Sequence, residues 1–158
     1  MPPVTQSATT TRTSRLRSEA WLLRGISSIP GELALKNETL SFTALNIGSA
    51  WPWQLQKLER QMEMPGIAEA IDRGERTLVF SWPASEIEAW CPWFYFGGGI
   101  KLKRQDLVLR LSFGAPANTQ SLQRRVDPIA AAEIVGGTIG QVQAMRSLGA
   151  LWQAALMR

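Results

Sequence analysis

A chain of 158 residues with 45% apolar content is sized for one domain with a sizeable core. It contains no histidine and one cysteine, Cys91, which excludes nucleophile–histidine catalysis, an internal disulfide and an ordinary zinc site. The net charge of +4 is local: residues 1–18 carry +3 and residues 101–110 carry +3, leaving −2 for the rest, so the broad basic footprint of a nucleic-acid binder is missing.

Residues 1–18 hold eight serines and threonines, two prolines and three arginines. They bring too little bulky apolar surface to offset the cost of ordering, so they read as a disordered basic tail, and a chain beginning at Glu19 is expected to fold as well. An acid-free, Arg/Ser/Thr-rich start is also the composition of an organelle transit peptide; a plain flexible terminus is the simpler reading. Residues 19–158 then form a single domain. The chain has no apolar run of about 18 residues that could span a membrane and no apolar secretory segment near its start. Cytoplasmic residence, with a peripheral membrane association as its extension, is the expectation.

Trp21 to Ile26 reads as a first strand. Leu33 and Leu35 alternate with Ala34 and Lys36, Asn37 and Glu38 supply a turn, and Leu40 and Phe42 continue the same face, which predicts a hairpin pairing Leu35 with Leu40. From Trp51 the period changes to three and four: Trp51, Leu55, Leu58 and Met62 form the apolar stripe of an amphipathic helix, with Pro52 at its first position and Ser49 as cap. Pro65 and Gly66 stop it, and a short helix over Ile67 to Asp72 follows. Glu59 and Glu63, one turn apart, read as a solvated face rather than a catalytic pair.

Thr77 to Trp82 is a strand with Leu78, Phe80 and Trp82 on one face, ended by Pro83, and Ser85 to Trp93 resumes extended structure. The aromatic run Trp90, Trp93, Phe94, Tyr95 and Phe96 leads into Gly97, Gly98 and Gly99. No helix and no Gly-Lys-Ser/Thr follow, so these glycines read as relief for a bent strand and not as a phosphate loop. Ile100 and Leu102 share a buried face with Leu107, Leu109, Leu111 and Phe113. Burying both rows around a turn at Arg104, Gln105 and Asp106 sets Leu102 opposite Leu109 and Lys101 opposite Arg110. Like charges directly opposite on paired strands are mildly unfavourable. Lys101, Lys103, Arg104 and Arg110 are therefore the candidate site for an anion or an acidic partner. After a polar connection, Asp127 and Pro128 open a last helix expected to run to about Leu156, with Val135, Ile139, Val142, Met145, Leu148 and Trp152 on its apolar face.

This order of strands, helical insert, strands and long final helix resembles a pleckstrin-homology-like domain of the GRAM kind. Gly25 to Phe42 (GISSIPGELALKNETLSF) resembles the GRAM opening hairpin. Phe80 to Phe113 resembles its later strands, through Trp82-Pro83, Glu86-Ile87, Gly97-Gly98-Gly99-Ile100 and Arg110-Leu111-Ser112-Phe113. Trp152 stands where that fold buries a helix tryptophan. The resemblance implies an α+β, mainly β fold: a partly open barrel of two antiparallel sheets, closed at one end by the final helix. It also implies a binding module and not an enzyme, docking a protein partner or an anionic membrane surface, with no cofactor and no metal. Ser27 to Glu32, where lipid-binding members carry their basic loop, holds no base, which points away from an inositide. The alternative is a structural domain that homo-oligomerises through exposed aromatic residues, since seven tryptophans are many for one small core. Nothing pairs a nucleophile with a base.

Overall fold

A computed structural model describes residues 15–92, 98–116 and 145–156. Its strands are β1 (Leu16–Arg24), β2 (Ser27–Lys36), β3 (Thr39–Ala44), β4 (Thr77–Pro83), β5 (Glu88–Trp90), β6 (Gly99–Arg104) and β7 (Leu107–Ser112). Helices α1 (Pro52–Met62) and α2 (Ile67–Asp72) are inserted between β3 and β4, and residues 145–156 are helical, here α3. The strands form one antiparallel sheet in the order β4-β3-β2-β1-β7-β6-β5. The fold is thus α+β and mainly β, but its ladder is one continuous sheet rather than two, with β4 and β5 at its ends. Continuity rests on β1, which pairs with β2 along its whole length and with β7 at only Trp21↔Ser112 and Leu22↔Leu111.

Both hairpin registers follow from burying alternate residues. Leu35 faces Leu40, and Leu102 faces Leu109 with Lys101 opposite Arg110. Asn37 and Glu38 both take positive φ, 50° and 58°, the geometry that matches a two-residue turn to the twist of its strands. Gly31 is forced by packing: a Cβ there would collide with the Phe42 ring and the Thr43 carbonyl.

Two expectations fail for local reasons. Between β3 and β4 the register shifts at Phe42/Thr43, so that Phe42 faces Phe80 and Thr43 faces Leu78. The extra residue, Val79, is buried beside Phe80, and Leu78 turns outward, because a bulge resets the alternation. The tail boundary also moves: Leu16, Arg17 and Ser18 belong to β1, opposite Leu35, Ala34 and Leu33. Residues 1–14 lie outside the described residues, as do Trp93 to Gly97 and the expected start of the last helix at Asp127.

A single apolar cluster joins the inward rows of the strands to Leu55 and Leu58 of α1, Ile67 and Ile71 of α2 and Trp152 of α3. Each such leucine or isoleucine contributes about 1.5–3 kcal/mol of burial. Phe80 stacks between Phe42 and Trp82, with ring centroids 6.2 and 4.2 Å away. Trp152 is fully buried, stacks on Phe113 at 6.2 Å and donates its indole N–H to Ser18 Oγ at 2.8 Å. That bond removes the usual cost of burying an indole.

Candidate functional site

The site is built on α1, whose sequence PWQLQKLERQM divides around the helix. Gln54, Leu55 and Leu58 face inward and are buried. Trp51 is not on that stripe, as the spacing suggested, but is the N-cap residue and 61% exposed. Its side chain offers no capping oxygen, so Gln54 Oε1 reaches back to accept the Trp51 N–H at 2.8 Å, while Gln54 Nε2 donates to the Arg24 carbonyl at 3.0 Å. One buried amide thereby starts the helix and ties it to the end of β1. Ser49 is used elsewhere, its Oγ accepting the Ser28 N–H at 2.9 Å. Glu59 also differs from the solvated-face expectation. Its Oε2 accepts the N–H groups of Gly66 and Ala68 at 3.1 and 3.0 Å, where a carboxylate satisfies the open amides that begin α2.

Residues 53, 57 and 61 recur at four-residue steps and so share one flank of α1. There Trp53, Lys57 and Gln61 meet Leu23 and Arg24 of β1 and Val108 and Arg110 of β7 around a groove of about 280 Å³. The groove is lined by three bases and no carboxylate. Arg24 continues the inward row of Ala20 and Leu22 past the edge of the core, and its Nη2 donates to Gln61 Oε1 at 2.6 Å. Burial, and then the positive charge of Arg110, hold its pKa below the ordinary arginine value. Arginine keeps its proton at any working pH. The consequence is an unbalanced positive field in a half-enclosed place, which a bound anion would relieve. Around this groove stand exposed apolar side chains: Trp53 at 60%, and Ile26 at 83% in the β1–β2 turn beside Gly25.

The four bases singled out in the sequence are not all brought to this groove. Arg110 lines the groove, and Lys101 lies across the ladder from it. Lys103 is exposed on the same face but sits opposite Glu88. Arg104 is turned away: its Nε and Nη2 donate to Glu86 Oε2 at 2.9 and 2.6 Å, and its guanidinium lies 5.3 Å from the Trp82 ring centre. Its charge is already answered. Arg24, Lys57 and Trp53 were missed. Lys57 and Trp53 were legible as a pair one helical turn apart on a flank without acids; Arg24, at the last position before the Gly25 turn, needed the fold to bring it to them.

The outer face of β1 and β2 is arranged differently. Glu32, across from Glu19, is held between Arg17 and Arg76, each at 3.2 Å, so like charges there are compensated within the chain. Among the described residues no group of carboxylates, cysteines or histidines could hold a metal, and no helix is long and apolar enough to cross a membrane. Burial pushes the Cys91 thiol up from its ordinary pKa, the direction that lowers thiolate reactivity. Comparison with protein-family models, with curated proteins and with solved structures finds no match for this chain.

Proposed function

We propose that this chain is a non-catalytic binding module of the pleckstrin-homology-like, GRAM-like kind, docking an anionic surface through the groove between α1, β1 and β7. The observation that carries the reading is the convergence of Arg24, Lys57 and Arg110 from three separate elements on one concavity with no lining carboxylate. The meander order, with β1 meeting β7 and the tryptophan of the last helix seated in the core, is what a partly open pleckstrin-homology-like barrel would require. Trp53 at the rim suits the boundary between water and headgroups, where an indole buries its ring and keeps its N–H wet. Each base near an acidic membrane contributes about 1 kcal/mol. Such a module works at the cytoplasmic side of a membrane or on an acidic protein.

Co-sedimentation with vesicles of phosphatidylcholine, with and without phosphatidylserine, tests the reading. Binding is expected only to the acidic vesicles and should weaken with salt, since exposed charge is screened within about 8 Å at physiological ionic strength. Lys57→Glu with Arg110→Glu should abolish it; Lys101→Glu with Lys103→Glu should reduce it less. Equal binding by the wild type and the groove double variant would sink the proposal.

A further inference from the structure

The second flank of α1 carries the opposite charge. Pro52, Leu55, Gln56 and Glu59 line a groove of about 430 Å³ against α2, where Glu69 and Asp72 complete a lining of three carboxylates and no base. One helix thus separates an acidic groove from a basic one, and its exposed first turn presents Trp51 and Trp53. We infer that this face is self-complementary and that its occupant is a second copy of the chain.

Symmetry decides how two copies would meet. In an isologous pair the same patch is used twice, related by a two-fold axis. An axis perpendicular to α1 within the contact plane sets acidic flank on acidic flank. An axis parallel to α1 sets each acidic flank on the partner's basic flank and brings the two first turns side by side. Only the second arrangement sets flanks of opposite charge against each other, with the exposed Arg60 of each copy on the crest between them, and it joins the four indole rings. With Trp51 and Trp53 exposed to 61% and 60%, covering four such rings removes roughly 400–600 Å² from water, a substantial part of the ~1,200–2,000 Å² in a stable interface. Tryptophans at the centre with complementary charges beside them match the anatomy of such contacts.

Not every carboxylate of the acidic groove is available. Glu69 is paired with Arg73 at 2.7 Å, and Glu59 is committed through Oε2 to the amides of α2. Asp72 has no ion-pair partner among the described residues. It therefore faces the partner's basic flank, where Lys57 is exposed on α1; Arg60, the other exposed base of the helix, lies three residues further on, on the crest between the two flanks. The inference goes beyond the proposed function and constrains it: a second copy covers the same basic groove, so self-association and docking on an acidic surface exclude each other.

Sedimentation velocity on the full chain over a range of concentrations reads the mass. The wild type should reach a dimer, and Lys57→Glu or Asp72→Lys alone should each weaken it at least about tenfold through like-charge contacts. An equimolar mixture of those two variants should recover the dimer, because both of its symmetric contacts then pair opposite charges. Trp51→Ser with Trp53→Ser should be monomeric while melting like the wild type. A wild type that stays monomeric at its highest soluble concentration overturns the inference. So does a mixture of two folded variants that stays monomeric, or single variants that dimerise undiminished. Vesicle binding by the Asp72→Lys variant, which leaves Arg24, Trp53, Lys57 and Arg110 of the basic groove in place, still reports on the groove, so loss of the dimer does not count against the docking reading.

Discussion

Both α3 and the start of α1 carry tryptophan, and the two places use it in opposite ways. Trp152 has no exposure, a ring partner in Phe113 and a hydroxyl acceptor in Ser18. Trp51 and Trp53 remain more than half in water although the leucines next to them on α1 are buried. Trp51 is the N-cap, outside the helix; for Trp53 the difference is one of helix phase. Trp152 falls on the apolar side of α3, whereas position 53 falls on the flank that faces Lys57 and Gln61. A count of seven tryptophans therefore says little about the core; helix phase separates the buried Trp152 from the exposed Trp53.

The comparison predicts unequal costs. Trp152→Ala should destabilise the protein by about 3–5 kcal/mol, the range for deleting a large buried aromatic, and should leave the Ser18 hydroxyl without its indole partner. Trp51→Ser and Trp53→Ser should each fall within about 0.5 kcal/mol of the wild type, as surface substitutions do. Urea denaturation followed by far-ultraviolet circular dichroism reads both. Equal losses at the two places would break the distinction.

A smaller effect tests the same anchor from the other side. Starting the chain at Glu19 removes the ladder positions of Leu16, Arg17 and Ser18 and the acceptor of the Trp152 N–H. A loss of about 1–3 kcal/mol is expected from one partly buried leucine and a hydrogen bond. A chain starting at Arg15 keeps all of these contacts and should melt like the full chain. If both truncations melt alike, Ser18 is not holding Trp152 in place.

Much of this architecture was legible because short-range alternation and turn chemistry carry it. The pairings of Leu35 with Leu40 and of Leu102 with Leu109 need only a buried face and a tight turn, although Arg104, expected in the second turn, is the last residue of β6. The α1 and α2 boundaries follow from Pro52, Pro65 and Gly66. What was not legible is non-local or irregular. The union of β1 with β7 joins residues about ninety positions apart through two pairs and leaves no periodic mark. The bulge at Val79 reverses which of two adjacent apolar residues is buried. Ser18, polar and in a polar stretch, gave no sign of serving a tryptophan 134 residues away. The candidate site split along the same line. Lys101 and Arg110 were placed by register, while Arg104 was drawn off by Glu86 and Trp82, and Arg24 and Lys57 came together only through the fold.

Trp82 is intermediate between the two extremes, since it is 8% exposed and covered on one side by Phe80 and on another by the Arg104 guanidinium. Arg104 lies over an edge-strand aromatic and is paired with Glu86, and its effect on stability should be the smallest of the three. A partly exposed ion pair contributes about 0–1 kcal/mol and a cation over an exposed indole about 0.5–1 kcal/mol, so Arg104→Ala should cost about 1 kcal/mol. Arg104→Lys keeps the charge but loses the two-pronged contact with Glu86, and should recover less than half of that loss. A double-mutant cycle with Glu86→Gln separates the two contributions: coupling near zero would assign the effect to the indole, and coupling close to the whole loss would assign it to the ion pair. Binding to acidic vesicles should be unchanged in Arg104→Ala. Binding that falls as far as in the Lys57 and Arg110 double variant would return Arg104 to the site and place Trp82, alongside Trp53, on the functional surface.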